Sequence, residues 1–336
     1  MKKYLLPNLG KFYKANLHMH TNISDGKMTL EEVKKAYLEK GYSIVAFTDH
    51  ELMLPHKELS DENFLAITST EVIVNQQGFT DFSYAKTYHL NLYSYDESKD
   101  CYNTFNRGHV WLQHSLDYVT SEQDKINYKR YYSIDSINDL IKKANEENCL
   151  VSYNHPVWSL QDYSDYIDLK GLWGVEWYNS ECVLAGYRDS IKPIDDLLRR
   201  GERVFPLATD DAHNINSCFG GFVMVKADKL EYKTIFNSLK NGDFYSSTKP
   251  LIYDLWFEDG LVYIKTSNVK RIELITDRRI TMIAKESDLV SEATFDISSL
   301  FLFNDNDIKK HYFRITLIDD EGNEANTRAY FLDELL

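Results

Sequence analysis

The chain has 336 residues, 43% of them hydrophobic, and 52 acidic against 38 basic side chains give it a formal charge of −14. That balance argues against non-specific nucleic-acid binding, which depends on clustered Lys and Arg, yet it admits an anionic substrate because bound cations reverse a local field. The start MKKYLLP lacks the apolar stretch of a signal peptide, no run approaches the ~18 apolar residues of a membrane helix, and Cys101, Cys149, Cys182 and Cys218 form no CxxC pair, so a cytoplasmic chain with free thiols is expected.

In chain order, YKANLHMHT reads as a strand. Thr29 with Glu32 three residues on is a capping box for the helix LEEVKKAYLEK, which Gly41 stops. YSIVAFTDH is a short continuous apolar run, the pattern of a strand buried on both faces. Strand, helix and strand in this order are the unit of a parallel sheet. The alternation continues: NFLAITSTEVIV and TYHLNLYSY are strand-like, SIDSINDLIKKANEEN is a helix, and CLVSYNHP and GLWGVEWYN are strands. YRDSIKPIDDLLRRG is a helix, RVFPLATDDAH and FGGFVMVKA are strands, and EYKTIFNSLKNG is a helix. This favours an α/β barrel over a doubly wound sheet. Two stretches break the rhythm. From Asp96 to Tyr132 the chain is polar and rich in Tyr, Asn and His, which predicts a partly helical insertion. After Ser246 alternating strands split by Asp-Gly and Glu-Gly turns predict a small antiparallel β domain, sandwich-like, over 248–336, with the barrel over 1–247.

The chemistry-bearing residues gather at strand ends. His18 and His20 are two apart on one strand and project together, with Met19 facing away. His50 closes AFTDH, His89 lies in TYHLNLYS, His155 in YNHPVW, and Asp211 and His213 in ATDDAH. Glu71 is a carboxylate inside the apolar strand ITSTEVIV, where burial without a partner is costly. In a barrel the C-terminal strand ends converge on one face. Imidazole and carboxylate together suit Zn, Mn or Fe, and this many ligands fits two or three ions better than one.

HMHTNISDG, FTDH, a mid-strand Glu, NHP and DDAH, in this order, resemble the signatures of the polymerase and histidinol phosphatase (PHP) superfamily of metal-dependent phosphoesterases. The resemblance covers Asn16 to Ser247, and the later β region looks like the C-terminal domain of its CehA/McbA-like branch. It implies a distorted (β/α)7 TIM-like barrel with two or three metals at the strand C-termini. His18, His20, Glu71 and Asp211 would surround the first. Glu71 would bridge to a second held with His89 and His155. Asp25, His50 and His213 would hold a third. Some members have His in place of Asp25, and Asp210 before Asp211 leaves a one-residue ambiguity, for which the Asp-x-His spacing favours Asp211. The implied reaction is hydrolysis of a phosphate ester by metal-activated hydroxide, with Glu71, Asp211 and His155 as catalytic candidates.

Asn154, Asn179, Arg188 and Arg107 are candidate substrate contacts, with Lys129 and Arg130 as further cations and Glu176 as support for a ligand. Asp49 is expected either to face the site or to bind backbone behind it, and His56 to reach the site from its loop. The 96–132 insertion, with His109, Trp111 and His114, reads as a lid able to stack on a base or sugar or to pack on the barrel. The expected partner is a small phosphorylated molecule, with neither nucleic acid nor membrane. The alternatives are a hydrolase of carboxylic esters, carbamates or amides, and a non-catalytic metal-binding module.

Overall fold

The computed structural model describes residues 2–286, 288–302 and 308–336. The first half contains β1 (Lys3–Tyr4), β2 (Lys11–Met19), α1 (Leu30–Glu39), β3 (Tyr42–Phe47), β4 (Leu65–Asn75) and β5 (Thr87–Ser94), then α2 (Ile134–Glu146) and β6 (Cys149–Tyr153). Next come α3 (Tyr163–Tyr166), β7 (Gly174–Asn179), α4 (Ser180–Leu184), α5 (Lys192–Arg199), β8 (Phe205–Thr209), β9 (Phe222–Ala227), α6 (Tyr232–Asn241) and β10 (Phe244–Ser247). Strands β11 (Ile252–Glu258), β12 (Leu261–Val269), β13 (Arg271–Thr276), β14 (Thr281–Ala284), β15 (Val290–Asp296), β16 (Tyr312–Ile318), β17 (Glu324–Thr327) and β18 (Tyr330–Phe331) complete the described chain.

The fold is mixed α/β around one large sheet. Strands β2, β3 and β4 run parallel to one another, as do β6, β7 and β8. Between the two groups β5 runs antiparallel to both β4 and β6, so the rhythm of the sequence does not yield an all-parallel sheet. The reason is the short β4–β5 connection, which holds no α-helix and therefore returns as a hairpin rather than a crossover. Among the described residues no continuous ladder joins β8 to β2. The chain just past the edge strand β8 meets the C-terminal end of β2 at one parallel bridge, Met19 with Ala212, supported by the Asp211 amide donating to the His18 carbonyl at 2.9 Å.

The helices form where local chemistry favours them. Thr29 accepts from the Glu32 amide and Glu32 accepts from the Thr29 amide, closing the capping box that starts α1, and Val33 and Tyr37 are its buried face. In α2 the buried residues Ile137, Leu140, Ile141 and Ala144 recur at helical spacing. The insertion is partly helical, in short 3-10 turns at Arg107–His109, His114–Tyr118 and Gln123–Lys125.

Beyond β10 every strand pairing among the described residues is antiparallel. Strands β11, β12 and β15 form a four-stranded sheet with β1, whose Tyr4 pairs with Trp256. Strands β13, β14, β16 and β17 extend the large sheet through β17 against β10. Leu255, Val262, Ile264, Ile272, Leu274 and Ile315 share one core across these strands. No helix among the described residues is long and apolar enough to cross a membrane, and all four cysteines are free.

Candidate metal centre

The residues gathered at one end of the large sheet reach it by different routes. His18 lies near the end of β2 and His20 just beyond it; His50, His155, Asp211 and His213 follow the ends of β3, β6 and β8. Glu71 and His89 do not sit at strand ends. Glu71 is inside β4, bridged to His50, and His89 is the third residue of β5. His89 still arrives at the common edge because β5 runs against its neighbours, which turns its N-terminal half toward the C-terminal ends of the parallel strands.

Three overlapping groups result, in each of which one ligand atom per residue lies within 4.8 Å of the others. They are His18, His20, Glu71 and Asp211; Glu71, His89 and His155; and His20, Asp25, His50 and His213. All nine residues singled out in the sequence are brought together, and His20 joins two groups. The first two groups are buried, whereas Asp25 and His213 keep about a quarter of their side chains exposed and mark the open side.

The donors approach without satisfying one another. Asp211 Oδ1 stands 3.1 Å from both His18 Nε2 and His20 Nε2, Glu71 Oε2 stands 3.3 Å from His20 Nε2 and His50 Nδ1, and His89 Nδ1 stands 3.1 Å from Glu71 Oε1. Yet Asp211 Oδ1, Glu71 Oε2 and the Nδ1 atoms of His20, His50 and His89 are buried with no hydrogen-bond partner. Buried polar atoms are normally paired. Five orphans in one cluster, all of types that ligate Zn, Mn or Fe, fit a set of cation ligands.

The electrostatics agree. Burial opposes charge on the imidazoles, but Asp211, Glu71 and Glu176 lift His18 well above its ordinary range. Against the same opposition Asp211 and Glu71 raise His20 to about 10, and Glu71 and Asp211 raise His155 to about 9. Burial likewise opposes ionisation of Glu71, and the charges of His18 and His89 more than offset it, holding the carboxyl well below its usual range. His89 is lowered, because there burial outweighs Glu71.

Around the groups lies a set of residues that aim them. Glu176 is fully buried; its Oε1 meets His18 Nδ1 at 2.7 Å and accepts from the Thr209 hydroxyl at 2.6 Å, and its Oε2 accepts from the His155 amide at 3.1 Å. Asn154 donates to Glu71 Oε1 at 2.8 Å, and Asn179 donates to Asp211 Oδ2 at 3.1 Å. Both amides are buried and engaged with carboxylates. Asp210 and Asp211 point apart. Asp210 accepts from the amides of Phe219, Gly220 and Gly221 and from the Tyr37 hydroxyl, and burial pushes its carboxyl up to about 6 despite those donors. Asp211 has φ 51°, and the left-handed residues Glu51 at 64° and His155 at 25° follow β3 and β6. Such strain in non-glycine residues collects where structure is held for a purpose.

Asp49 binds behind the site. Its carboxylate takes the amides of Thr21 and Ser24 and both of their hydroxyls, fixing the turn that presents Asp25. His56 packs edge-on to Phe47 at 5.2 Å, away from the groups. Arg107 pairs with Asp124 at the surface, Arg188 and Lys129 are exposed, and Arg130 is buried in an ion pair with Glu51. The middle of the insertion touches the site: His114 Nε2 meets the Ser24 carbonyl at 2.8 Å, the Ser115 hydroxyl donates to the Ile23 carbonyl at 2.6 Å, and Trp111 lies 6.1 Å from His50. Trp158, which sequence reasoning passed over, contacts His89 and His155; its place three residues after His155 in NHPVW was the available signal.

Comparison with known proteins adds the following. Among solved structures, the chain resembles a two-domain protein from Bacteroides vulgatus containing a predicted PHP-like metal-dependent phosphoesterase, at 14% identity over 98% of both chains with a TM-score of 0.44. It also resembles an amidohydrolase from Chromobacterium violaceum with bound sulfate and no metal, at 15% identity over 68% of this chain and 96% of that one, TM-score 0.41. A third is the lesion-specific endonuclease PfuEndoQ from Pyrococcus furiosus, at 16% identity over 68% and 56%, TM-score 0.43. No curated protein matches. The family model described as PHP domain matches residues 16–194, more than half the chain, and this chain therefore belongs to the PHP domain family.

Proposed function

We propose that this chain hydrolyses a phosphate ester of a small molecule at a centre of two or three divalent ions. The observation that carries the reading is the set of five buried, unpartnered ligand atoms on His20, His50, Glu71, His89 and Asp211. His18, His20, Glu71 and Asp211 would hold one ion, Glu71 with His89 and His155 a second, and His20, Asp25, His50 and His213 a third. Ions of this kind lower the pKa of a water and neutralise phosphoryl oxygens. The chain's own residues supply the aim. Glu176 engages His18 Nδ1, which leaves Nε2 turned to the cluster. Asn154 and Asn179 hold the carboxylates of Glu71 and Asp211 in place. Glu71, His155 and Asp211, in contact at 3.4 and 3.6 Å, line the reacting centre.

With this reading we propose a distorted (β/α)7 barrel, for which the Met19–Ala212 bridge is the support, followed by a small β domain over 248–336 of the kind the CehA/McbA-like branch carries. The test is a panel of phosphomonoesters, a phosphodiester and an aryl carboxylic ester given to the metal-loaded chain. Phosphate release that a chelator abolishes and added metal restores is the expected result. Metal-dependent cleavage of the carboxylic ester with no hydrolysis of any phosphate ester contradicts it.

A further inference from the structure

Two of the large apolar side chains left in solvent stand directly on the candidate centre. Trp111 is 58% exposed and lies 6.1 Å from His50, beside the open Asp25 and His213 side. Trp158 is 41% exposed and lies 5.3 Å from His89 and 5.2 Å from His155, nearly at right angles to both. The indoles therefore flank different groups, with His50 and His89 5.8 Å apart between them.

Neither indole rides on a loose loop. Three and four residues after Trp111, His114 and Ser115 bind the carbonyls of Ser24 and Ile23. Trp158 lies in a turn where Ser159 binds His155 Nδ1 at 3.2 Å, the Thr87 amide donates to the Ser159 carbonyl at 3.2 Å, and the Val157 amide donates to Asp189 at 2.9 Å. An aromatic ring fixed in place yet left half wet contributes little to a core and is suited to hold a flat or apolar ligand surface. Two arginines of the insertion that carries Trp111 are committed elsewhere, Arg107 to Asp124 and Arg130 to Glu51. Among the described residues, the ring contacts of both indoles are with imidazoles of the centre.

We infer that Trp111 and Trp158 form the walls of the leaving-group site, and that the substrate is a phosphate ester whose alcohol carries a planar aromatic ring, aryl or nucleobase. This rests on the phosphoesterase reading and adds the substrate class to it.

The experiment uses the full metal-loaded chain and two matched pairs. AMP and ribose 5-phosphate lose phosphate from the same primary position and differ by the base. 2-Naphthylmethyl and cyclohexylmethyl phosphate differ by ring planarity. The planar member of at least one pair is expected to show a KM lower by about tenfold, the scale of one ring stacking contact, and which pair shows it separates nucleobase from aryl. Trp111→Ala and Trp158→Ala should each shift that KM ratio toward one, with Trp→Phe restoring part of it. The Kd of 2-naphthylmethylphosphonate, read by calorimetry, should weaken in the same order if the ring is aryl, and that of the phosphonate analogue of AMP if it is a nucleobase. Phosphate release with equal KM within both pairs, or ratios unmoved by both alanine variants, overturns the inference and leaves the phosphoesterase reading standing. No phosphate release from any of these or from the wider panel overturns both.

Discussion

His18 Nδ1 and Glu176 Oε1 lie 2.7 Å apart in a fully buried contact between residues 158 positions apart in the chain. The contact fixes which imidazole nitrogen faces the cluster, because a ring nitrogen engaged with a carboxylate cannot also serve as a ligand. Glu176→Gln keeps the shape but removes the charge. It should weaken metal binding by about 10- to 100-fold, the usual cost of disturbing such a partner. Competition against a chromophoric chelator reads this directly, and an affinity unchanged from wild type would show that Glu176 only fills space.

In the metal-free chain the carboxylates raise His20 to about 10 and His155 to about 9. A ligating imidazole must give up its proton at the ligating nitrogen. Metal uptake near pH 7 should therefore release protons, and apparent affinity should fall as pH drops. Calorimetric titration in two buffers of different ionisation enthalpy measures the number released. A heat independent of buffer contradicts the assignment.

Arg130 and Arg107 both come from the insertion, but their environments differ. Arg130 has a fully buried side chain paired with Glu51, whereas Arg107 and Asp124 are each about half exposed. Removing one partner of a buried pair leaves an uncompensated charge, at about 3–5 kcal/mol, while an exposed pair contributes about 0–1 kcal/mol. Urea denaturation should separate Arg130→Met from Arg107→Met by about 3 kcal/mol. This prediction treats the insertion as a clamp on the turns that carry Asp25 and His50, beyond the lid expected from its composition. Equal stabilities of the two variants would remove the clamp.

Burial pushes the Asp189 carboxyl up to about 6, although the Val157 amide donates to it. A carboxyl that binds its proton more tightly when folded makes the protein less stable as pH rises from about 4 to about 6, with the loss persisting above. Asparagine at this position can still accept from Val157 and does not titrate. Asp189→Asn should thus gain on wild type by about 1–3 kcal/mol between pH 4 and pH 8. Denaturation of chelator-treated protein at the two pH values tests it; a stability gap that stays constant contradicts it.

Much of the centre was legible because its side chains are of unusual type at each place: a carboxylate in an apolar strand at Glu71, and histidines closing apolar runs at His50, His155 and His213. The α1 start was legible for a local reason, the Thr29–Glu32 box. What could not be read were relationships across distance. The direction of β5 depends on the connection before it, and it decides how His89 reaches the edge. Asp210 and Asp211 carry the same chemistry, and only the left-handed backbone at Asp211 divides their roles. The pairing of Tyr4 with Trp256 involves a strand of two residues, too short to leave a periodic signal.

Glu71 belongs to two of the three groups and presents a buried oxygen with no hydrogen-bond partner. The central claim is therefore tested most directly by elemental analysis of metal per folded chain, in wild type and in Glu71→Gln, after loading with Zn, Mn or Fe and removal of excess. The expected result is two or three ions in wild type and a loss of at least one in Glu71→Gln. A folded wild-type chain that retains no metal, or a Glu71→Gln chain that retains the full wild-type complement, would contradict the account.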